Sequence, residues 1–231
     1  MNDDTLLWTA IYGLYALLAD QENSENAYQL FFENHKIIFS AFDLDVVESF
    51  EKGSPHSLPY DRDRGYRPEP DFIGINSRDS SLTVVELKTP FVGCVTRSRS
   101  DGNRAKFKAN AEGYISQATE YLESIRSNDE ARTEIKKSLA SEKISTYKLK
   151  LIYGLAKEND ASLINALCSQ RKLPTELVHY DSLLDKLLER YSIPRKDVIA
   201  RPGWSFTFHI SFFEPQPTRR VYIGEYGGGA K

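Results

Sequence analysis

Apolar and polar residues alternate along this chain in two rhythms, which predict helices and strands respectively. A repeat of about 3.6 residues indicates an amphipathic helix, and a repeat of two indicates a half-buried strand. Helices are predicted at residues 6–19, 25–34, 103–125, 161–171 and 181–191. Strands are predicted at residues 70–75, 82–88, 149–156 and 177–180, and in the alternating run 204–212. Because strands and helices alternate along the chain, the pattern predicts an α/β fold with a mixed sheet.

A β-hairpin is predicted near the middle of the chain. The strands at 70–75 and 82–88 flank the polar turn 76–81, and this spacing is typical of an antiparallel pair. The preceding segment, residues 52–70, holds four prolines and two glycines, which is the composition of a loop. The hairpin is therefore entered directly from a long loop.

Three charged residues, Asp71, Glu86 and Lys88, fall on one face of this predicted hairpin. With the turn centred on the polar segment, Asp71 lies directly opposite Glu86, and opposite residues have Cβ atoms roughly 4.5–5.5 Å apart. Lys88 follows Glu86 by two positions and so shares its face. Val85 and Leu87 belong to the other face. We therefore expect three charged side chains to converge within an otherwise apolar strand.

Two carboxylates and an ammonium group at such close range suit metal-assisted hydrolysis of a phosphodiester. Neighbouring carboxylates repel each other unless a cation lies between them, and oxygen ligands favour Mg²⁺ or Mn²⁺. We expect Asp71 and Glu86 to bind that ion, while Lys88 orients the attacking water or stabilises the transition state. The alternative is structural: Asp71 is a turn residue, and Glu86 and Lys88 form a solvent-facing pair on an edge strand.

The overall charge restricts the class of partner. The 231 residues carry a net charge of -3 at pH 7, which argues against a protein that coats nucleic acid nonspecifically. A local group of basic residues nevertheless follows the predicted catalytic strand, and we expect it to contact the DNA backbone, with a solvated surface as the alternative. The group comprises Arg97, Arg99, Arg104, Lys106 and Lys108.

The motif residues resemble those of a known nuclease superfamily. Pro70-Asp71 and Glu86-Leu87-Lys88 match the PD-(D/E)xK motif, and the chain more narrowly resembles the Shedu family of bacterial antiphage nucleases. The closer resemblance covers about residues 24–191. It rests on Phe31-Phe32-Glu33-Asn34-His35, Glu69-Pro70-Asp71-Phe72, Val85-Glu86-Leu87-Lys88-Thr89-Pro90, Gln117 with Tyr121, and His179-Tyr180-Asp181-Ser182-Leu183-Leu184.

This resemblance implies a restriction-endonuclease-like mixed sheet flanked by helices and a Mg²⁺-dependent DNA endonuclease in bacterial antiphage defence. It also implies a homo-oligomer. Gln117 matches a glutamine that supports the active site in related nucleases, with an ordinary surface glutamine as the alternative. Glu25 and Glu33 are candidates for additional acids of the site, although a solvated helix face or a capping role is favoured for both. A catalytically silent DNA-binding or oligomerisation component of a defence assembly is the alternative function.

The chain is expected to divide into three parts. Residues 1–23 form an N-terminal helix, residues 24–194 the nuclease domain, and residues 195–231 a C-terminal β extension with a flexible tail. The apolar run 6–19 is too short to span a bilayer, which needs roughly 20 apolar residues. The two cysteines lack the spacing of a disulfide framework or a zinc site. We therefore expect a cytoplasmic protein without a membrane segment.

Overall fold

A mixed sheet of five strands forms the centre of the protein. The computed structural model describes residues 3–20, 22–98, 104–155, 160–171 and 175–193. The sheet strands are β1 (Val46–Ser49), β2 (Phe72–Asn76), β3 (Ser81–Leu87), β6 (Thr146–Ile152) and β7 (Thr175–Val178). Their order is β1-β2-β3-β6-β7. Two further strands, β4 (Val95–Ser98) and β5 (Arg104–Phe107), form a separate antiparallel ribbon.

Helices cover both faces of the sheet, because successive side chains of a strand point to opposite sides. Phe72 and Val85 join an apolar cluster with the helices at the two ends of the described chain, whereas Ile73 and Val84 face the helices in its middle. The helices are α1 (Asp3–Ala19), α2 (Glu25–Asn34), a 3₁₀ helix (Lys36–Phe42), α3 (Ala109–Ser127), α4 (Asp129–Ser138), α5 (Asp160–Arg171) and α6 (Tyr180–Arg190).

The register of the β2–β3 hairpin is the predicted one. Phe72 pairs with Val85 and Ile73 with Val84, and the ladder continues to the turn. Extending this ladder by one step places Asp71, just before β2, opposite Glu86. Strand β3 then pairs with β6 in parallel along its whole length, and all seven of its residues are buried. Strand β3 therefore ends inside the protein, between β2 and β6.

The helix predicted at residues 103–125 is wrong at its start. Residues Arg104–Phe107 form β5, and α3 begins only at Ala109. Phe107 pairs with Val95 of β4 and is buried in a cluster that also contains Cys94. Because Phe107 is also four residues from the buried Ala111, its spacing fits a helix as well as a strand. Pairing with β4 decides between the two.

Two other features differ from the sequence expectations. The helix predicted from residue 181 begins at Tyr180, with His179 as its N-cap residue and Asp181 buried in its first turn. The expectations also missed β1 and α4. The hairpin expected around 204–212 and 221–223 lies outside the described residues. The division into three parts stays a prediction.

The N-terminal helix α1 is part of the main apolar core. Leu14 and Leu18 of α1 belong to the same buried cluster as Phe32 of α2 and Leu184 of α6. Among the helices that the structure describes, none has both the length and the apolar content needed to cross a membrane.

Gly74 of β2 lies where a larger residue would collide with the neighbouring strand. A Cβ atom at this position would lie 2.8 Å from Leu44 Cδ1 and 2.9 Å from Val47 Cγ2. We expect Gly74→Ala to lower the free energy of unfolding by about 1–3 kcal/mol, measured by urea denaturation. Gly113 of α3 is the control, because a Cβ atom there meets nothing within 4 Å. Gly113→Ala should raise stability by about 0.5–1 kcal/mol. Unchanged stability of Gly74→Ala would contradict the tight approach of β1.

Candidate active site

Asp71, Glu86 and Lys88 lie together at the inner end of the β2–β3 hairpin. Their exposed fractions are only 7%, 2% and 5%. The Leu87 N–H donates a 2.6 Å hydrogen bond to Asp71 Oδ2, and the Asp71 N–H lies 3.5 Å from Glu86 Oε2. Because Glu86 and Lys88 are buried and β3 is a central strand, these two residues are not a solvent-facing pair on an edge strand.

Lys88 is held between two carboxylates and an aromatic ring. Its Nζ donates hydrogen bonds to Glu86 Oε1 at 3.1 Å and to Glu25 Oε1 at 2.9 Å. It also lies 5.3 Å from the centre of the Tyr114 ring. Burial lowers the pKa of Lys88, but the carboxylates of Glu86 and Asp71 outweigh it and raise the pKa. Lys88 is therefore a fixed ammonium group at neutral pH.

The two carboxylates bind protons more readily than in water. Burial raises the pKa of Asp71 well above its usual value, and the neighbouring Glu86 raises it further. Burial also raises the pKa of Glu86, whereas Lys88 lowers it. One ammonium group therefore does not fully offset two buried carboxylates. A cation or a proton must provide the remaining compensation.

The donor set fits a divalent cation with a preference for oxygen ligands. Asp71 and Glu86 supply two neighbouring carboxylates, which suit Mg²⁺ or Mn²⁺. Within the described part of the chain, no group of three or more His, Cys, Asp or Glu side chains converges as a metal site. The protein side chains would thus supply two ligands. Mg²⁺ commonly keeps several waters, so two protein ligands are compatible with it.

The backbone around Lys88 is anchored by strand β6 and helix α6. The Lys88 N–H donates to Ile152 O at 2.8 Å, and the Gly154 N–H donates to Thr89 O at 3.2 Å. The Tyr180 hydroxyl, fully buried at the start of α6, donates to Lys88 O at 2.7 Å. The sequence pattern does not predict this role of Tyr180. Its neighbours in sequence give no signal for a contact with Lys88.

Two candidate acids from α2 have different positions. Glu25, at the start of α2, contacts Lys88 directly and is therefore part of the site, not of a solvated helix face or a cap. Glu33 instead accepts a 3.1 Å hydrogen bond from Gln29 Nε2. Burial raises the pKa of Glu51, and the charges of Glu33 and Glu25 raise it further. The side of the site formed by α2 and the loop after β1 is therefore acidic.

On helix α3, Tyr114 rather than Gln117 contacts the charged residues. Gln117 is exposed, and its Nε2 donates to Tyr121 Oη at 2.9 Å. Among the described residues, no hydrogen bond joins Gln117 to Asp71, Glu86 or Lys88. Burial raises the pKa of Tyr121, and the charge of Glu86 raises it further. Gln117 is therefore linked to the site by its hydrogen bond with Tyr121.

The basic residues after Lys88 do not share one face of the β4–β5 ribbon. Arg97 pairs with Ala105, whereas Lys106 pairs with Thr96 one step along the ladder. Arg97 and Lys106 are both exposed, and neighbouring ladder positions point to opposite faces. Lys108, also exposed, has extended backbone angles and follows Lys106 by two positions. Arg99 and the side chain of Arg104 lie outside the described residues.

These observations define an α/β protein with a mixed central sheet and a buried cluster of two carboxylates and a lysine at the end of its central hairpin. Residues 22–184 match the family described as Shedu protein SduA, C-terminal. The chain belongs to this family. Membership implies a role in antiphage defence. No curated protein gives a significant match to the chain.

The raised pKa of Asp71 has a consequence for stability. Because folded Asp71 holds its proton to higher pH than the unfolded chain does, the contribution of Asp71 to the free energy of unfolding falls as pH rises above about 4, the unfolded pKa. Asp71→Asn removes this titration. In EDTA, wild type should therefore lose stability relative to Asp71→Asn as pH rises from about 5 toward the folded pKa, measured by urea denaturation.

Asp79, at the turn of the same hairpin, provides the control with the opposite sign. Hydrogen bonds from Ser81, and then from Lys148, lower its pKa to about 2. Its contribution to stability is present above the unfolded pKa of about 4 and disappears as pH falls toward the folded value. The difference in free energy of unfolding between wild type and Asp79→Asn should therefore stay constant above about pH 5. If the free energies of unfolding of Asp71→Asn and wild type changed with pH in parallel, the raised pKa of buried Asp71 would be contradicted.

Proposed function

We propose that this protein is a metal-dependent DNA endonuclease of the PD-(D/E)xK type that acts in bacterial antiphage defence. The observation that carries the proposal is the convergence of Asp71, Glu86 and Lys88 at one buried point on the central hairpin. Membership of the Shedu family supports the biological setting. The mixed sheet with helices on both faces is compatible with a restriction-endonuclease-like core.

In this proposal, Asp71 and Glu86 hold Mg²⁺ or Mn²⁺. When bound, such an ion neutralises phosphate charge and makes a water molecule more nucleophilic. Lys88 stabilises the negative charge that develops on the phosphate during hydrolysis. Because its pKa is raised, Lys88 does not act as the base. Glu25 and the Tyr114 ring hold its ammonium group in place.

The remaining expected features belong to the same proposal. Gln117 supports the site through Tyr121, rather than by touching the reacting groups. DNA phosphates contact one face of the β4–β5 ribbon, within the segment that carries the basic residues Arg97, Arg99, Arg104, Lys106 and Lys108. The functional form is a homo-oligomer in the cytoplasm. A catalytically silent component would bind DNA without cleaving it, and the cleavage assay below separates it from an enzyme.

Isosteric substitutions test the chemistry with little change in shape. Asp71→Asn, Glu86→Gln and Lys88→Met should each reduce DNA cleavage by at least about 100-fold, because each removes a charge that acts on the metal or the phosphate. Cleavage of linear, circular and single-stranded DNA would be measured in Mg²⁺, Mn²⁺ and EDTA. Circular dichroism would show whether each variant is folded.

The pair Asp79 and Lys148 supplies the matched control. These residues form a 3.1 Å ion pair at the other end of the same hairpin and are about half exposed. Asp79→Asn and Lys148→Met should therefore cleave DNA at the wild-type rate. Near wild-type activity in one of the three site variants would remove that residue from the mechanism. Wild-type protein that binds DNA but cleaves none of the substrates with either ion would instead favour the silent component.

The ribbon allows a test of which face contacts DNA. If the face with Lys106 and Lys108 contacts the DNA backbone, replacing both residues with Gln should reduce the slope of log affinity against log salt concentration by about 1.8 for duplex DNA. Arg97→Gln, on the other face, should leave the slope unchanged. Affinity would be measured by fluorescence anisotropy in EDTA. A slope that changes only in Arg97→Gln would place the DNA on the opposite face.

A further inference from the structure

The ammonium group of Lys88 is surrounded by partners from its own chain. An ammonium group has three N–H donors and no acceptor. Two of them serve Glu86 Oε1 at 3.1 Å and Glu25 Oε1 at 2.9 Å, and the ring of Tyr114 has its centre 5.3 Å from Nζ. The Lys88 side chain is 6% exposed. A phosphate oxygen that binds Lys88 Nζ must therefore replace one of these contacts.

The two carboxylate partners of Lys88 differ in how easily they can leave. The Glu86 side chain is 2% exposed, whereas the Glu25 side chain is 42% exposed. Separating Glu86 from Lys88 would leave a buried charge without compensation, which is costly. Glu25 can instead turn into water, and an ion pair with an exposed partner stabilises a protein only slightly. Glu25 is therefore the partner that a phosphate can replace.

The position of Glu25 in helix α2 also makes its release from Lys88 inexpensive. Glu25 is the first residue of α2, directly after the N-cap Ser24. Negative side chains are stabilised at the N-terminus of a helix. A carboxylate that has left Lys88 thus still lies in a favourable electrostatic environment. The exchange requires a rotation of one side chain and no movement of the helix.

We propose that the Glu25 carboxylate competes with a DNA phosphate for Lys88 and is displaced when DNA enters the site. This inference rests on the proposed function and adds a step that regulates the same site. A phosphodiester carries one negative charge, as Glu25 does, so the exchange leaves the charge beside Lys88 unchanged. In the DNA-free protein, Glu25 holds the ammonium group; in the complex, the phosphate does.

This competition makes the binding of Lys88 selective for a polyanion. Because Glu25 belongs to the same chain, its effective concentration at Lys88 is on the order of millimolar or higher. A single phosphate group in dilute solution competes poorly with it. DNA that is held at other points supplies its phosphate at a comparable effective concentration. Lys88 therefore binds phosphate when the DNA is already held by additional contacts.

DNA affinity of charge-neutral variants of the full chain tests the proposal. Glu25→Gln removes the competing charge with little change in shape and should raise affinity about threefold to fivefold. Affinity would be measured with a labelled duplex by fluorescence anisotropy in EDTA. Glu33→Gln is the matched control, because it removes the same charge from the same helix but its carboxylate binds Gln29 and not Lys88. The gain in Glu33→Gln should be clearly smaller.

A double-mutant cycle shows whether the gain acts through Lys88. In a Lys88→Met background, the effect of Glu25→Gln should fall to that of Glu33→Gln, since no ammonium group remains to compete for. Equal gains in Glu25→Gln and Glu33→Gln with Lys88 present would overturn the proposal. Weaker DNA binding by Glu25→Gln would contradict it too, because Glu25 would then hold Lys88 in the complex.

Cleavage by the wild-type protein in Mg²⁺ separates this proposal from the proposed function. A protein that cleaves DNA but shows equal gains in the two variants keeps its nuclease function and loses only the competition at Lys88. A protein that shows the expected gain in Glu25→Gln but cleaves no DNA keeps the competition and loses the nuclease function.

Discussion

The burial of two carboxylates side by side is the constraint on which the rest of the site depends. Asp71 and Glu86 lie in the protein interior, where an uncompensated charge is costly. Backbone N–H groups and the Lys88 ammonium supply part of the compensation. Lys88 is shared in turn with Glu25, so the cluster keeps a negative excess. In the proposed function, a divalent cation offsets that excess.

The fold delivers this arrangement through the position of one strand. Because β3 lies between β2 and β6, its last residues are fixed from both sides. The antiparallel neighbour brings Asp71 opposite Glu86, and the parallel neighbour holds the backbone of Lys88 through Ile152. Tyr180 then binds the Lys88 carbonyl from the start of α6. Catalytic groups held by strands and supported by neighbouring hydrogen bonds keep their geometry more precisely than groups on loops.

Charge is distributed unevenly around the cluster, and this matters for a polyanionic substrate. Glu25, Glu33 and Glu51 make the side formed by α2 acidic, whereas the ribbon after Lys88 carries exposed basic residues. If the protein acts on DNA as proposed, phosphates would be attracted toward the ribbon and repelled from α2. A net acidic protein can still attract DNA locally in this way. The Shedu family assignment implies a role in antiphage defence.

The sequence by itself determined the α/β class, the hairpin register and the residues of the central cluster. These follow from local rules: period-two burial assigns each strand residue to a face, and the turn length fixes which residues are opposite. Tertiary packing decided what local patterns could not. Glu25 and Tyr180 are 63 and 92 residues from Lys88 along the chain, and no spacing rule joins residues so far apart. Phe107 fitted a helix equally well until its pairing with Val95 made it part of a strand. That ribbon also separates Arg97 from Lys106, because Arg97 pairs with Ala105 and Lys106 with Thr96, and neighbouring positions of a ladder point to opposite faces.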